Sequence, residues 1–229
     1  MGQPRLPTAI GGLDKLLRGG IPGGEVTLIY GEAATGKTIL AFHLSLQCAR
    51  MGYNVIYVDA DLSFPAERLR RLGVEAEKLM SLIGIFTPRN FYEQSILVEN
   101  LERYYHPKVG LVIFDTINSL YRFSASNPDL TTPSNKELNR QLAYLASFAK
   151  KTGCPIVLTS QVRGVIKDSL EAENVEPVAA RILNFWSQTQ IQLKSTLKPN
   201  VKMAFLKKLN GIARENIFCH FKITDWSIE

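Results

Sequence analysis

Short runs of aliphatic and β-branched residues alternate along the chain with longer segments in which apolar residues recur at helical spacing. Residues 25–30 (EVTLIY), 54–59 (NVIYVD), 82–86, 109–115 (VGLVIFD) and 155–160 (PIVLTS) are apolar almost throughout, which is the pattern of strands covered on both faces. Such strands separated by amphipathic segments predict a mostly parallel sheet flanked by helices, an α/β fold. One helix is expected from Lys37 to about Met51, with Leu40, Leu44 and Cys48 on one face and Gly52 as its stop. A second is expected over residues 134–151. It opens on the capping box Ser134-x-x-Glu137 and closes on Lys150, Lys151 and Gly153, in the order the helix dipole favours. Beyond residue 160 the pattern becomes irregular to about residue 178, then gives a short helix near Arg181. Residues 188–194, 201–207 and 217–224 follow with strand-like patterning and are expected to finish the sheet as antiparallel strands. Lys198-Pro199-Asn200 and Asn210-Gly211 have turn chemistry.

The chain has 229 residues, enough for one α/β domain with a sizeable core, and residues 1–229 are expected to form a single domain. At 45% hydrophobic and 21% charged residues, it has the composition of a folded globular protein rather than a disordered or fibrous one. No apolar run approaches the roughly 20 residues that span a bilayer, and residues 1–7 lack the apolar stretch of a signal peptide. A cytoplasmic location without a membrane partner is therefore expected. Cys48, Cys154 and Cys219 are far apart and form no C-x-x-C pair, so they are expected to be small buried hydrophobes rather than disulfide partners or zinc ligands. His43, His106 and His220 have no metal-ligand spacing. The excess of 27 basic over 21 acidic residues, a net charge of +6, is compatible with a polyanionic partner but does not require one.

The most specific chemistry lies at Gly31-Glu32-Ala33-Ala34-Thr35-Gly36-Lys37-Thr38. This segment fits G-x-x-x-x-G-K-[ST] between a predicted strand and a predicted helix. Glycines let the backbone wrap so that its N–H groups point at phosphate oxygens, and the helix N-terminus adds a positive end. Lys37 would reach the β- and γ-phosphates of ATP, and Thr38 would place its hydroxyl on Mg2+. A carboxylate is then required nearby. Asp115, closing the apolar strand Leu111-Val112-Ile113-Phe114, supplies it as the second metal-binding residue. Glu32, an acidic side chain inside an anion-binding loop, is expected to point outward.

The lead-in Thr8-Ala9-Ile10-Gly11-Gly12-Leu13-Asp14-Lys15-Leu16-Leu17-Arg18-Gly19-Gly20-Ile21-Pro22-Gly23-Gly24 resembles that of RecA, RadA and KaiC proteins. The likeness continues through Tyr57-Val58-Asp59, Phe64-x-x-Glu67-Arg68-Leu69, the strand ending in Asp115, Leu158-Thr159-Ser160-Gln161 and Phe221-Lys222-Ile223-Thr224-Asp225. It implies a RecA-like P-loop NTPase core, and a Mg2+-dependent ATPase. The family's water-orienting glutamate is matched by Asp61, one methylene shorter, which implies slow hydrolysis. Gln161 is similar to the residue that senses the γ-phosphate. The family's DNA-contacting region would fall at residues 163–180, where Arg163 and Lys167 are the candidate contacts. Asp168, Glu171, Glu173 and Glu176 make that stretch acidic, which weakens the expectation of strong strand binding.

Basic residues gather instead towards the end of the chain, at Lys194, Lys198, Lys202, Lys207, Lys208, Arg214 and Lys222. Lys207 and Lys208 correspond approximately to family residues that reach a neighbouring subunit's ATP, so the resemblance implies a homo-oligomer. Phe185 and Trp186 could stack on bases, although a packing role suits them better. Neither an N-terminal helical DNA-binding domain nor a Phe-x-x-Ala tether precedes the core in this sequence, which makes autonomous filament formation doubtful. The core-only layout resembles RadB and other archaeal-type RadA paralogs. That resemblance implies a modulator of homologous recombination and DNA repair that contacts single-stranded DNA and a RadA-type recombinase or other repair protein. A KaiC-like regulatory ATPase, controlling protein contacts without DNA, is the alternative.

Overall fold

The computed structural model describes residues 4–71, 73–164, 175–224 and 228–229. Its main sheet holds, in spatial order, the strands Ile212–Ala213, Val201–Leu209, Thr189–Ser195, Val26–Gly31, Ile156–Gly164, Val109–Asp115, Asn54–Asp59 and Ile83–Phe86. From Thr189–Ser195 to Ile83–Phe86 every neighbouring pair is parallel. The expected α/β architecture is therefore present, with one correction. Of the three late strands, Thr189–Ser195 runs parallel to Val26–Gly31, because the Ala180–Trp186 helix carries the chain back across the sheet before it. Val201–Leu209 and Phe218–Lys222 are antiparallel as expected, and the short strand Ile212–Ala213, which was not expected, is antiparallel as well. The strand beginning at Ile156 also runs on to Gly164, where Val175–Pro177 returns antiparallel to it.

Alternation along each parallel strand separates two apolar layers. Ile29, Val55, Tyr57, Leu111, Ile113, Val157 and Ile191 face the layer that contains the Lys37–Arg50 helix. Leu28, Tyr30, Ile56, Val58, Val112, Phe114, Ile156 and Leu158 face the Phe91–Glu99 and Pro128–Thr152 helices. Both faces must be apolar because both are covered, which is why these strands read as continuous hydrophobic runs.

The Pro128–Thr152 helix begins almost two turns before the expected capping box. Its N-cap is Asn127, whose side chain accepts from the Asp129 amide at 3.0 Å. Ser134 lies inside the helix and shares a 2.8 Å hydroxyl contact with Ser124, while Glu137 pairs with Arg140 rather than reaching back to a cap. Pro133 is tolerated because the one bond it forgoes would go to the carbonyl of Asp129, on an exposed residue in the first turn. At the other end, Gly153 closes the helix at φ 75°, as expected. Cys48 and Cys154 are buried, but Cys219 is only partly so.

Leu142, fully buried in the Pro128–Thr152 helix, contributes to the second layer. Leu142→Ala is expected to cost about 3 kcal/mol, read as a lowered urea midpoint with an unchanged denaturant slope.

Candidate nucleotide site

The parallel strands deliver their C-terminal ends to one edge of the sheet, where open α/β folds bind ligands. Gly31 lies in register with Gln161 on one side and Leu193 on the other, and Asp59 lies in register with Asp115. The carbonyl oxygen of Leu193 would stand 2.4 Å from a β-carbon added at Gly31, so glycine is required there by the neighbouring strand itself. Residues 32–36 then wrap back to the Lys37–Arg50 helix. Ala34 has φ 59° and Gly36 has φ 94°, left-handed values that wrap the loop back towards the helix, and Thr35 Oγ1 donates to the Glu32 carbonyl at 2.9 Å. Glu32 is exposed, as expected.

Lys37 is buried, and its Nζ donates to the carbonyls of Gly31 at 2.9 Å and Glu32 at 2.6 Å. The ammonium thus closes the loop on itself. Burial lowers its pKa, against the opposing pull of Asp115, Asp61 and Glu32. Asp115 is completely buried. It accepts from the Tyr57 hydroxyl at 2.9 Å and from the Thr159 hydroxyl. Burial raises its pKa, while hydrogen bonds from Thr159, Tyr57 and Thr38 hold it down. Burial, followed by the charge of Asp115, pushes the Tyr57 phenol well above its ordinary value, so Tyr57 remains a donor. The peptide bond following Asp115 is cis.

Asp59 and Asp61 have separate duties. Asp59 is buried and accepts the amides of Ser63 and Phe64, both at 2.9 Å, which fixes the turn after its strand. Asp61 is exposed on that turn and receives the Thr116 hydroxyl at 3.3 Å, beside Asp115. The Ala60 amide bonds the Asp115 carbonyl at 2.9 Å and ties the two strand ends together. Gln161 is half-buried, and its side-chain carbonyl accepts from Arg122.

This donor set fits a magnesium-bound triphosphate. The loop's backbone amides and one cation suit the phosphates, and a hydroxyl with one buried carboxylate suits a metal that keeps several waters. No group of three or more His, Cys, Asp or Glu side chains able to hold a metal occurs among the described residues, so phosphate oxygens would have to complete the coordination.

Several residues of the site escaped the sequence reading. Tyr57 carries a signal in retrospect, because a phenol inside a strand buried on both faces needs a partner for its hydroxyl. Ile223 does not: its Cδ1 would lie 2.6 Å from a β-carbon at Gly36, across the chain from the motif. With Ala34, Gly36, Lys37, Thr38 and Ile39 it lines a cavity of about 230 Å3. Arg68 secures the segment after Ile223 by donating to the Thr224 carbonyl at 2.7 Å.

Other candidates fall elsewhere. Lys208 donates to the carbonyls of Asn184 at 2.9 Å and Ser187 at 2.8 Å, capping the Ala180–Trp186 helix of its own chain. Lys208 lies in register with Gln190, and Gln190 with Leu28, three residues before Gly31. It therefore lies about 10 Å from the start of the phosphate loop measured along the strand direction, and two strands across the sheet from it. Lys207, exposed, passes over the Phe205 ring at 5.9 Å. Lys167 lies outside the described residues, as do Asp168, Glu171, Glu173, Asp225 and the side chain of Arg163. Glu176 is exposed and pairs through its backbone with Arg163. His43 is buried, with Nε2 2.7 Å from the Thr8 carbonyl. Trp186 donates to Asn139 at 2.9 Å, whereas Phe185 is 70% exposed.

The Rad51 family model matches residues 5–228. The chain belongs to the Rad51 family. It is 33% identical over 213 residues to the DNA repair and recombination protein RadB of Methanococcoides burtonii, covering 93% of this chain and 92% of that relative. It is 33% identical over 228 residues to the protein of the same name from Thermococcus gammatolerans, covering 98% of each. A crystal structure of the RadB recombinase superposes with a TM-score of 0.80 at 30% identity, covering 97% of this chain and 98% of the other. The RecA-like core is thus common to this Rad51-family chain and to that recombinase.

Gly36 tests the loop conformation. Gly36→Ala is expected to lower thermal stability and to weaken nucleotide binding, because φ 94° strains any L side chain and Ile223 blocks the new methyl. Adding Ile223→Ala should recover the steric part of the loss and leave the backbone part, a double-mutant cycle read by thermal unfolding.

Proposed function

We propose that the chain is an ATP-binding RadA paralog that modulates homologous recombination in DNA repair, hydrolysing ATP slowly with Mg2+. The observation that carries this reading is the phosphate loop closed by Lys37 beside the buried carboxylate of Asp115, in a chain similar over nearly its whole length to proteins named for DNA repair and recombination. Those names also favour recombination over the KaiC-like regulatory alternative.

The mechanism follows from the site's geometry. Lys37 would leave the Gly31 and Glu32 carbonyls for the β- and γ-phosphates, exchanging neutral acceptors for anionic ones. The loop amides, already oriented, stabilise charge on the transferring group without rearranging. Thr38 and Asp115 would hold Mg2+, which when bound neutralises phosphate charge. Tyr57 and Thr159 hold the Asp115 carboxylate in one orientation from behind. Asp61, steadied by Thr116, would orient water on the open side. Its short side chain places that carboxylate farther from the phosphates than a glutamate would, and an error on the order of 1 Å costs about a hundredfold in rate.

The proposed partners are single-stranded DNA and a RadA-type recombinase or other repair protein. Lys207 is proposed as a contact to a neighbouring copy. No helix among the described residues is long and apolar enough to cross a membrane.

ATP turnover measured with and without single-stranded DNA, at low and high salt, tests the reading. Salt-sensitive stimulation is expected, and a rate indifferent to DNA at every salt concentration would remove the DNA role. Asp61→Glu is expected to raise turnover about ten- to a hundredfold, and Asp61→Ala to abolish it with nucleotide affinity retained. Equal turnover in all three proteins would reject Asp61 as the water-orienting group. Asp115→Asn should weaken the dependence on Mg2+ specifically, followed by titrating the metal at fixed ATP.

A further inference from the structure

At the edge of the sheet opposite the nucleotide site, the lead-ins to three adjacent strands meet around one pit. Tyr53, Pro107 and Pro155 stand just before the strands Asn54–Asp59, Val109–Asp115 and Ile156–Gly164, and all three line a cavity of about 270 Å3. Residues 4–6 close its remaining side. The walls are held without a ligand. The Gly23 amide donates to the Pro4 carbonyl at 2.9 Å, and Arg5 donates to the Leu17 carbonyl at 2.7 Å. The Tyr105 ring, also in the lining, meets Phe148 edge-on at 5.2 Å. Tyr53 fits because Gly110 has no side chain: a β-carbon there would lie 2.7 Å from that of Tyr53. The interior offers little to a polar guest, since Leu6, Val109 and Cys154 are buried and the three prolines of the lining have no amide N–H to donate. At the mouth, Met51 is 51% and Tyr53 43% exposed, so large apolar groups remain at the surface around a cavity that is already formed.

The chain that forms the rim is cationic. Residues 4–6, 50–53, 102–110 and 150–155 carry Arg5, Arg50, Arg103, Lys108, Lys150 and Lys151 against a single carboxylate, Glu102. Glu102 is taken by Lys151 at 2.9 Å, and Arg50 is matched by Glu75. Arg103, Lys108 and Lys150 are exposed and have no ion pair among the described residues. We propose that the pit is a docking site for an acidic segment of a partner protein, which seats one phenylalanine or leucine side chain in the cavity and sets its carboxylates against Arg103, Lys108 and Lys150. The volume favours a single side chain, because sites that enclose a whole small ligand occupy roughly 300–1,000 Å3. The positive rim would also attract a nucleic acid, but a strand needs open aromatic faces on which successive bases stack. Here Tyr105 is committed edge-on to Phe148 and Tyr53 lies against Gly110. An apolar anchor in a fixed pocket supplies most of the energy at such an interface, and the surrounding charges select the partner and speed its arrival. The nucleotide edge takes no part in this contact.

The test follows the fluorescence anisotropy of a short labelled peptide, one phenylalanine flanked on both sides by aspartates and glutamates, as the full chain is titrated in. Saturable binding that weakens with salt is expected, and binding weaker by at least about tenfold when alanine replaces the phenylalanine of the peptide. Lys108→Glu, a change at an exposed position, should weaken the acidic peptide about five- to tenfold at low salt and much less at high salt. Tyr53→Ala should weaken it about tenfold at every salt concentration, with thermal unfolding measured alongside to show that the variant is folded. No nucleotide is present in these titrations, so their outcome is independent of whether the chain binds ATP. Absence of binding to the wild type, equal binding of a peptide with lysines in place of the acidic residues, or wild-type affinity in Lys108→Glu at low salt overturns the proposal. Displacement of the peptide by oligo-dT would assign the pit to nucleic acid and overturns it equally.

Discussion

The structure depends on a loop whose backbone must wrap back on itself and keep a buried ammonium at one place. The protein meets this constraint internally. Lys37 donates to the carbonyls of Gly31 and Glu32, and the carboxylate of Asp115 lies in a neighbouring strand end, oriented by Tyr57 and Thr159. Lys37 and Asp115 are both pushed by burial towards their neutral forms. A bound metal and triphosphate would reverse both pressures, since each charged side chain would then face an opposite charge. The same burial that is costly without ligand is what strengthens these interactions with it.

Around that centre the sheet acts as a ruler. The parallel strands end on one edge, which brings Gly31, Asp59, Asp115 and Gln161 together from widely separated parts of the chain. Their roles differ because their burial differs. Asp59 is spent on two backbone amides and shapes the turn, while Asp61, two residues on, is free to face solvent. Gln161 stands between the phosphate loop and the Arg122 side chain, so one residue touches both the nucleotide edge and a surface open to other molecules.

Much of the nucleotide edge was legible in the sequence. The strands Asn54–Asp59 and Val109–Asp115 were readable to the residue because burial on both faces leaves uninterrupted apolar runs. The phosphate loop was readable because each of its glycines answers a local need. The start of the Pro128–Thr152 helix was not, since Ser134 and Glu137 mimic a cap and Pro133 argues for a boundary, which masks the equally regular signal of Asn127 followed by Pro128 and Asp129. The direction of Thr189–Ser195 was set by tertiary packing rather than by its own pattern. Contacts such as Ile223 against Gly36 join positions almost two hundred residues apart, and no local pattern encodes them. Lys208 shows the opposite failure: a charge that reads as available is engaged by the end of a helix in its own chain.

Calorimetric titration of Mg-ATP into the wild-type chain and into Lys37→Ala tests the central claim most directly. The account predicts saturable association in the wild type and an affinity lower by at least about tenfold in the variant, the expected loss for a charge-assisted hydrogen bond, with far-UV circular dichroism unchanged. Absence of association in the wild type, or equal affinity in the two proteins, would contradict it.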